Sequence, residues 1–164
     1  SLTLSDLNEE MLHRSRERFV NANKFYNLNW QTANAEELPF ECDAYDSYSI
    51  AFGIRNVTHI DQALREANRV IRKGGLFCCL EFHPMQASLV KEVYDLYAHN
   101  VIPKIGRILA QDEAAYRYLS ESIETFDTKE VFKERVEKAG FKNVWQQSFS
   151  SGLVVATYGE KIDA

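Results

Sequence analysis

The chain has 164 residues, 45% of them apolar, 26% charged and 12% aromatic, with three prolines. That composition supports one folded domain and leaves no low-complexity tract to read as disorder. Nineteen basic against 24 acidic residues give a formal charge of −5 with no basic cluster, which excludes nucleic acid as an expected partner.

The chain opens at Ser1 and runs directly into the strand-like Leu2 to Ser5, so it is expected to be a piece of a longer protein. Asp6-Leu7-Asn8-Glu9 then offers a helix start before Met11, Leu12, Ser15 and Phe19. Leu28 to Ala33 alternates as a strand around Trp30, and Ala35 to Phe40 reads as a loop closed by Pro39. Tyr45 to Phe52 is the next strand. A helix from about Ile60 to Ile71 carries Ala63, Leu64, Ala67 and Val70 at helical spacing, with Gly74 and Gly75 expected to end it. The apolar run Leu76 to Phe82 predicts a strand buried on both faces. Two helical stretches fill about 87–126, and a third runs from Thr128 to Ala139 before Gly140. Asn143 to Phe149 and Leu153 to Tyr158 flank Ser150-Ser151-Gly152, a turn too short for anything but an antiparallel pair. Strands alternating with helices predict an α/β fold with a mostly parallel sheet ending in an antiparallel hairpin. That pattern resembles the Rossmann-like class I S-adenosylmethionine-dependent methyltransferases. Residues 1–164 are read as a single domain of that type, lacking its N-terminal part, with a helical insertion at about 87–126.

In open α/β sheets ligands sit beyond the carboxyl ends of the strands. Asp6, Asn34 with Ala35, the segment from Ala51 to Asn56, and Glu81 occupy those places. Asp6 has the position from which a carboxylate accepts hydrogen bonds from both ribose hydroxyls; equally, Asp6-x-x-Glu9 matches a capping box. Asn34-Ala35-Glu36 offers an amide for an adenine edge, or else an ordinary Asx turn. Leu7, Leu38 and Phe40 are candidates to flank the ring, though each is commoner as core. Arg55 and Asn56 follow a buried strand beside Gly53, a polar cluster at a site mouth; the alternative is a surface Arg55 paired with a helix carboxylate. Cys42, Cys78 and Cys79 match neither a disulfide framework nor a zinc spacing, and no metal site is expected. For His83, His99 and Tyr97 a structural role is preferred over acid/base work. Leu89, Val90, Val93, Tyr94, Tyr97, Val101 and Ile102 form an apolar stripe that reads either as a core-facing helix or as a lid over a lipid tail near a membrane surface. No apolar run approaches the roughly 20 residues of a membrane-spanning helix.

The segments Asn34-Ala35-Glu36-Glu37-Leu38-Pro39-Phe40, Phe52-Gly53-Ile54-Arg55-Asn56-Val57-Thr58, Gly74-Gly75, Leu80-Glu81-Phe82, Tyr116-Arg117-Tyr118-Leu119-Ser120-Glu121-Ser122-Ile123 and Ala139-Gly140-Phe141 together resemble the UbiE family. These are the C-methyltransferases of ubiquinone and menaquinone biosynthesis, and the wording is nearest their eukaryotic, mitochondrial branch. The resemblance implies methylation of a polyprenyl methoxybenzoquinol ring carbon by S-adenosylmethionine. It implies that Asp6 binds ribose, that Asn34 and Ala35 contact the adenosyl group, and that Arg55 and Asn56 face the quinol. Arg55, charged at any working pH, is expected to stabilise a developing oxyanion or polarise a proton-accepting water, with Asn56 orienting the ring. Placement on the matrix face of the mitochondrial inner membrane is implied, with a quinone-biosynthesis complex, a peripheral membrane contact and a homodimer as candidate partners. Ala51 stands where bacterial relatives tend to have serine, and Lys73 where proline is usual. The family's first strand and glycine-rich turn have no counterpart before Asp6, which predicts two unpaired strand edges and weak cofactor binding by this chain alone. The competing reading is a non-catalytic partner in a quinone-biosynthesis assembly.

Overall fold

The computed structural model describes residues 1–21, 27–84 and 113–162. Its strands are β1 (Leu2–Asp6), β2 (Leu28–Thr32), β3 (Tyr45–Ala51), β4 (Ile71–Phe82), β5 (Lys142–Phe149) and β6 (Val154–Glu160). The described helices are α1 (Glu9–Asn21), α2 (Ile60–Val70), α3 (Glu113–Thr125) and α4 (Lys129–Lys138), with short 3-10 turns at Ile54–Asn56 and Ser150–Gly152. The predicted apolar stripe at Leu89 to Ile102, with His99 and Tyr97, lies outside the described residues.

Two sheets form. β1 and β2 pair in parallel, and β3, β4, β6 and β5 follow in that order, parallel between β3 and β4 and antiparallel beyond. Among the described residues β1 and β3 each have an edge without a partner strand, as expected from the sequence. A hydrogen bond from the Tyr45 hydroxyl to Thr3 Oγ1, 3.3 Å long, passes between the two sheets.

The core lies on one face of the larger sheet. Ala63, Leu64, Ala67 and Val70 recur at three- and four-residue spacing, so α2 presents one apolar stripe to β4. α4 adds Phe132 and Val136, is capped where Thr128 Oγ1 accepts from Val131 N, and ends before Gly140 at a φ of 103°. These residues close around Ile71, Phe77 and Phe141, all buried.

Two expectations need correction. α2 stops at Val70, and Ile71 is already extended (φ −77°, ψ 133°), so no left-handed glycine ends the helix. Gly74 has its positive φ of 76° within β4, at an irregularity where Tyr45 pairs with Ile71 but Ser47 with Leu76. A Cβ on Gly75 would press on Ile71 and stand 2.6 Å from the Asp46 carbonyl oxygen, so close strand contact explains that glycine. Nor is β4 buried on both faces. Phe77, Cys79 and Glu81 point into the core, while Leu76 on the opposite face is 39% exposed because no described element covers it.

Truncating Phe132, which is fully buried between α2 and β5, leaves a cavity the neighbouring rings cannot fill. Phe132→Ala should lower unfolding free energy by about 3–5 kcal/mol in urea titration of the whole encoded protein.

Candidate active site

The 3-10 turn after β3 carries Arg55 and Asn56, and its geometry starts at Phe52. Phe52 adopts a left-handed φ of 55° while its N–H donates to the Leu80 carbonyl at 2.8 Å, so the chain turns sharply at the strand end. Such a conformation is uncommon for an aromatic residue and concentrates at functional sites. The turn folds Arg55 back over β4. Its Nη1 donates to Glu81 Oε1 at 2.6 Å and to the Phe52 carbonyl at 3.0 Å, and Nε donates to Ser122 Oγ of α3 at 3.3 Å. The guanidinium carbon stands 5.6 Å from the Phe82 ring centroid. Arg55 is therefore no surface arginine, and its partner is a strand carboxylate: the two side chains are 8% and 0% exposed. Among the described residues Nη2 has no partner, leaving two N–H groups to donate.

Asn56 sits beside it, exposed, with Oδ1 accepting from the Tyr118 hydroxyl of α3 at 2.9 Å. With its oxygen engaged, the amide offers its Nδ2 protons to the solvent side. Arg55 Nη2 and the Asn56 Nδ2 protons thus remain to donate, an arrangement suited to an anionic or phenolic oxygen. Phe52 and Phe82, with ring centroids 4.8 Å apart, form an apolar wall at the same strand ends.

The second group lies at the carboxyl edge of the smaller sheet. Asp6 ends β1 opposite Thr32, which ends β2, and the Asp6 carbonyl accepts from Ala33 N at 3.1 Å. Asp6 and Asn34 with Ala35 are thereby brought to one edge. The capping box, one of the two readings of Asp6, does not form: Asn8 caps α1, its Oδ1 accepting from Glu10 N at 2.9 Å, while Asp6 Oδ1 accepts from Asn8 N at 2.8 Å. Asp6 keeps its second carboxylate oxygen. Asn34 makes the Asx turn, its Oδ1 accepting from Glu36 N at 3.0 Å, and its amide N–H groups remain to donate to a ligand. Of the three candidate ring-flanking residues, Leu38 is buried in a core with Ala33 and Val70, Phe40 packs against that core, and Leu7 is exposed.

The loop holding Asn34 is clamped to α2. Arg69 donates to the carbonyls of Leu38 and Phe40 at 2.9 and 2.7 Å and pairs with Glu66, whose Oε2 accepts from Leu38 N at 2.8 Å. Glu36 Oε1 accepts from Thr58 N and His59 N at 3.1 Å each, tying the loop to the segment just after Asn56. No hydrogen bond joins the two groups of site residues directly among the described residues; this loop connects them.

Three further titratable side chains lie in or against the core: Cys79 and His83 are buried, and Tyr48 is partly buried. Burial, together with the Glu81 charge, pushes the Cys79 thiol well above its usual range, and burial pushes the Tyr48 phenol up to about 12. His83 is buried between Phe126 and Phe132, its Nδ1 2.9 Å from the Asp127 carbonyl oxygen. A carbonyl only accepts, so Nδ1 carries the proton, and Nε2 is buried without a partner among the described residues. The structural role expected for His83 fits this setting. No cluster of metal-ligating side chains occurs among the described residues. Glu81, Ser122 and Tyr118 are the site residues whose roles sequence reasoning missed. Glu81 was recoverable, because strand alternation puts it on the face of Phe77 and Cys79, where a carboxylate requires a counter-charge.

A model of the ubiE/COQ5 methyltransferase family matches residues 1–161. The chain belongs to that family. Over 160 residues it is 46% identical to the mouse mitochondrial 2-methoxy-6-polyprenyl-1,4-benzoquinol methylase, covering 98% of this chain and 49% of the mouse protein. It is 47% identical over 154 residues to the ubiquinone/menaquinone biosynthesis C-methyltransferase UbiE of Rickettsia bellii, covering 94% of this chain and 62% of that one. The chain therefore spans about half the length of the curated mammalian relatives it matches. Among solved structures, the CurJ carbon methyltransferase aligns with a TM-score of 0.67 at 15% identity over 98% of this chain and 41% of its own. The [4+2]-cyclase SpnF aligns with a TM-score of 0.68 at 12% identity over 99% of this chain and 66% of its own. Both bear on the fold alone, and the mixed sheet of this ubiE/COQ5 family member is the class I methyltransferase arrangement expected from the sequence.

Burial holds the His83 imidazole below its ordinary value of 6.5, since the charged ring would be desolvated. The unfolded chain then binds a proton that the folded chain does not as pH falls below 6.5, so this contribution to stability is complete above that value and is lost on acidification. His83→Asn, which keeps a donor for Asp127, should flatten the fall in unfolding free energy between pH 7 and 5 by up to about 1.4 kcal/mol per pH unit, measured by denaturant titration across that range.

Proposed function

We propose that this chain belongs to an S-adenosylmethionine-dependent C-methyltransferase acting on a polyprenyl methoxybenzoquinol ring in ubiquinone biosynthesis. The observation that carries the reading is the pair of N–H donors that Arg55 and Asn56 bring to the ends of β3 and β4, beside Phe52 and Phe82. The names of the mouse and Rickettsia relatives point the same way.

The residues at the smaller sheet's edge fit the adenosyl half of the cofactor. Asp6 would accept from the ribose hydroxyls with its remaining carboxylate oxygen, and Asn34 would donate to the adenine edge, with the half-buried Ala35 beneath. S-adenosylmethionine would supply an electrophilic methyl on its sulfonium. The protein's own task is alignment and exclusion of water, because methyl transfer to carbon is an in-line displacement. A ring carbon attacks better once the neighbouring phenol, with an unperturbed pKa of about 10 for such a group, has lost its proton. Arg55 Nη2, without a partner among the described residues, would stabilise that phenolate or polarise a water that takes the proton, while Asn56 orients the ring. Arg55 takes no proton itself, because a guanidinium stays charged at any working pH.

The same reading places the protein on the matrix face of the mitochondrial inner membrane, supported by the mitochondrial designation of the mammalian relatives. A peripheral membrane contact, a quinone-biosynthesis complex and a homodimer are its proposed associations.

The test is methylation of a short-chain methoxybenzoquinol by the whole encoded protein, followed by mass spectrometry, with S-adenosylmethionine binding measured by calorimetry. Arg55→Ala should lower kcat by about 100- to 1,000-fold, the cost of removing one oxyanion donor, while cofactor binding persists. Asp6→Ala should weaken cofactor binding at least about tenfold, the loss of hydrogen bonds to a charged acceptor. Normal turnover by Arg55→Ala with bound cofactor would overturn the assignment. A folded protein that neither binds cofactor nor methylates the quinol would favour the non-catalytic partner instead.

A further inference from the structure

Glu81 is a fully buried carboxylate near the end of β4, an interior strand of the larger sheet, and among the described residues its hydrogen-bond donors all come from the site mouth. Oε1 accepts from Arg55 Nη1 at 2.6 Å and from Phe82 N at 2.8 Å, and Oε2 accepts a long bond from Arg55 N at 3.4 Å. We propose that Glu81 is a positioning residue, fixing the orientation of the Arg55 guanidinium so that its Nη2 edge faces a phenolic oxygen of the substrate. The proposal rests on the methyltransferase reading above.

Three features favour positioning over simple stabilisation. A buried ion pair adds little net stability, because desolvation of both charges offsets their attraction, so stability alone is a weak reason to bury a carboxylate here. Glu81 holds the same arginine at two points, the guanidinium and the backbone N–H, so it sets where the side chain starts as well as where it ends. The remaining contacts among the described residues leave one edge open: Phe52 O shares Nη1, Ser122 Oγ takes Nε, and the Phe82 ring lies against the guanidinium. A planar fork held by one partner on Nη1 and another on Nε has its rotation stopped, and its free edge is then aimed rather than sampled. His83, two residues along the same face, is bonded to Asp127 between α3 and α4, so the strand end beneath the carboxylate is itself anchored.

The experiment compares wild type with Glu81→Gln and Glu81→Asp in the whole encoded protein. Glutamine keeps the shape and one acceptor but loses the charge; aspartate keeps the charge on a shorter stem. Turnover of the quinol and the NMR signals of the Arg55 guanidinium are both recorded. Slow rotation of a held guanidinium gives separate Nη proton signals in wild type, which should collapse in Glu81→Gln and partly return in Glu81→Asp. In parallel kcat should fall about 100-fold in Glu81→Gln, the cost of misplacing a reacting group by an ångström, with KM and cofactor affinity unchanged. Glu81→Asp should recover part of that loss. A folded Glu81→Gln protein with wild-type kcat, or with unaltered Arg55 signals, overturns the proposal. If Glu81→Gln does not fold, Glu81→Asp decides: lowered kcat with altered Arg55 signals supports positioning, and wild-type values for both overturn it. If wild type methylates no quinol, the functional reading fails separately, and the Arg55 signals alone decide whether Glu81 orients the guanidinium.

Discussion

A carboxylate on the inward face of a central strand must be met by a cation, and Arg55 meets Glu81 from the end of the neighbouring strand. Much of the local architecture follows from that requirement. β3 has to end in a turn sharp enough to bring Arg55 back over β4, which puts Phe52 into a left-handed conformation that an aromatic residue seldom adopts. α3 approaches close enough for Ser122 and Tyr118 to reach the turn, so a helix far along the chain is fastened to residues 55 and 56. The Phe82 ring lies against the guanidinium, and the ion pair is nearly removed from water, which strengthens the attraction between the charges.

The second half of the site depends on a different kind of connection. Asp6, Asn34 and Ala35 sit at the edge of a two-stranded sheet that, among the described residues, shares no strand pairing with the larger one. Its position relative to Arg55 is governed by the loop through residues 36–42, where Glu36 bonds the backbone before α2 and the Glu66–Arg69 pair holds the Leu38 and Phe40 carbonyls. The Arg69 contact holds the Glu66 carboxyl below the usual carboxylate range, so the clamp is charged at neutral pH. Leu38, Ala33 and Val70 form a small core under the same loop. Spacing between the nucleoside-binding edge and the donor pair is therefore set by side-chain hydrogen bonds and a few apolar contacts. A mobile clamp of that kind would blur the alignment on which a methyl displacement depends.

Much of this was legible beforehand because the signals were local. Alternating strands, the 3-4 spacing of Ala63, Leu64, Ala67 and Val70, the Thr128 start and Gly140 end of α4, and the short Ser150 to Gly152 turn each appear in the structure near their expected bounds. The misreadings were local competitions with more than one solution. Asn8 took the helix cap from Asp6 because it sits immediately before Glu9, leaving Asp6 to brace Asn8. Of the glycines after α2, Gly75 serves close packing in β4 and Gly74 a left-handed turn of the strand, since Ile71 is already extended. Burial on both faces of β4 was inferred from hydrophobicity alone, which cannot report whether a covering element is present.

The sequence by itself determined the order of strands and helices, the parallel sheet with its antiparallel end, and the positions of Asp6, Asn34, Ala35, Arg55 and Asn56 at strand ends. Those properties depend on residue periodicity and turn chemistry within a few positions. Only the tertiary structure decided that Arg55 belongs to Glu81, that Tyr118 fixes the Asn56 amide, and that Ser122 reaches the guanidinium. These partners lie 26, 62 and 67 residues apart along the chain. No local pattern encodes such pairs; they follow from which strand ends and helix faces the packed core brings within hydrogen-bonding distance.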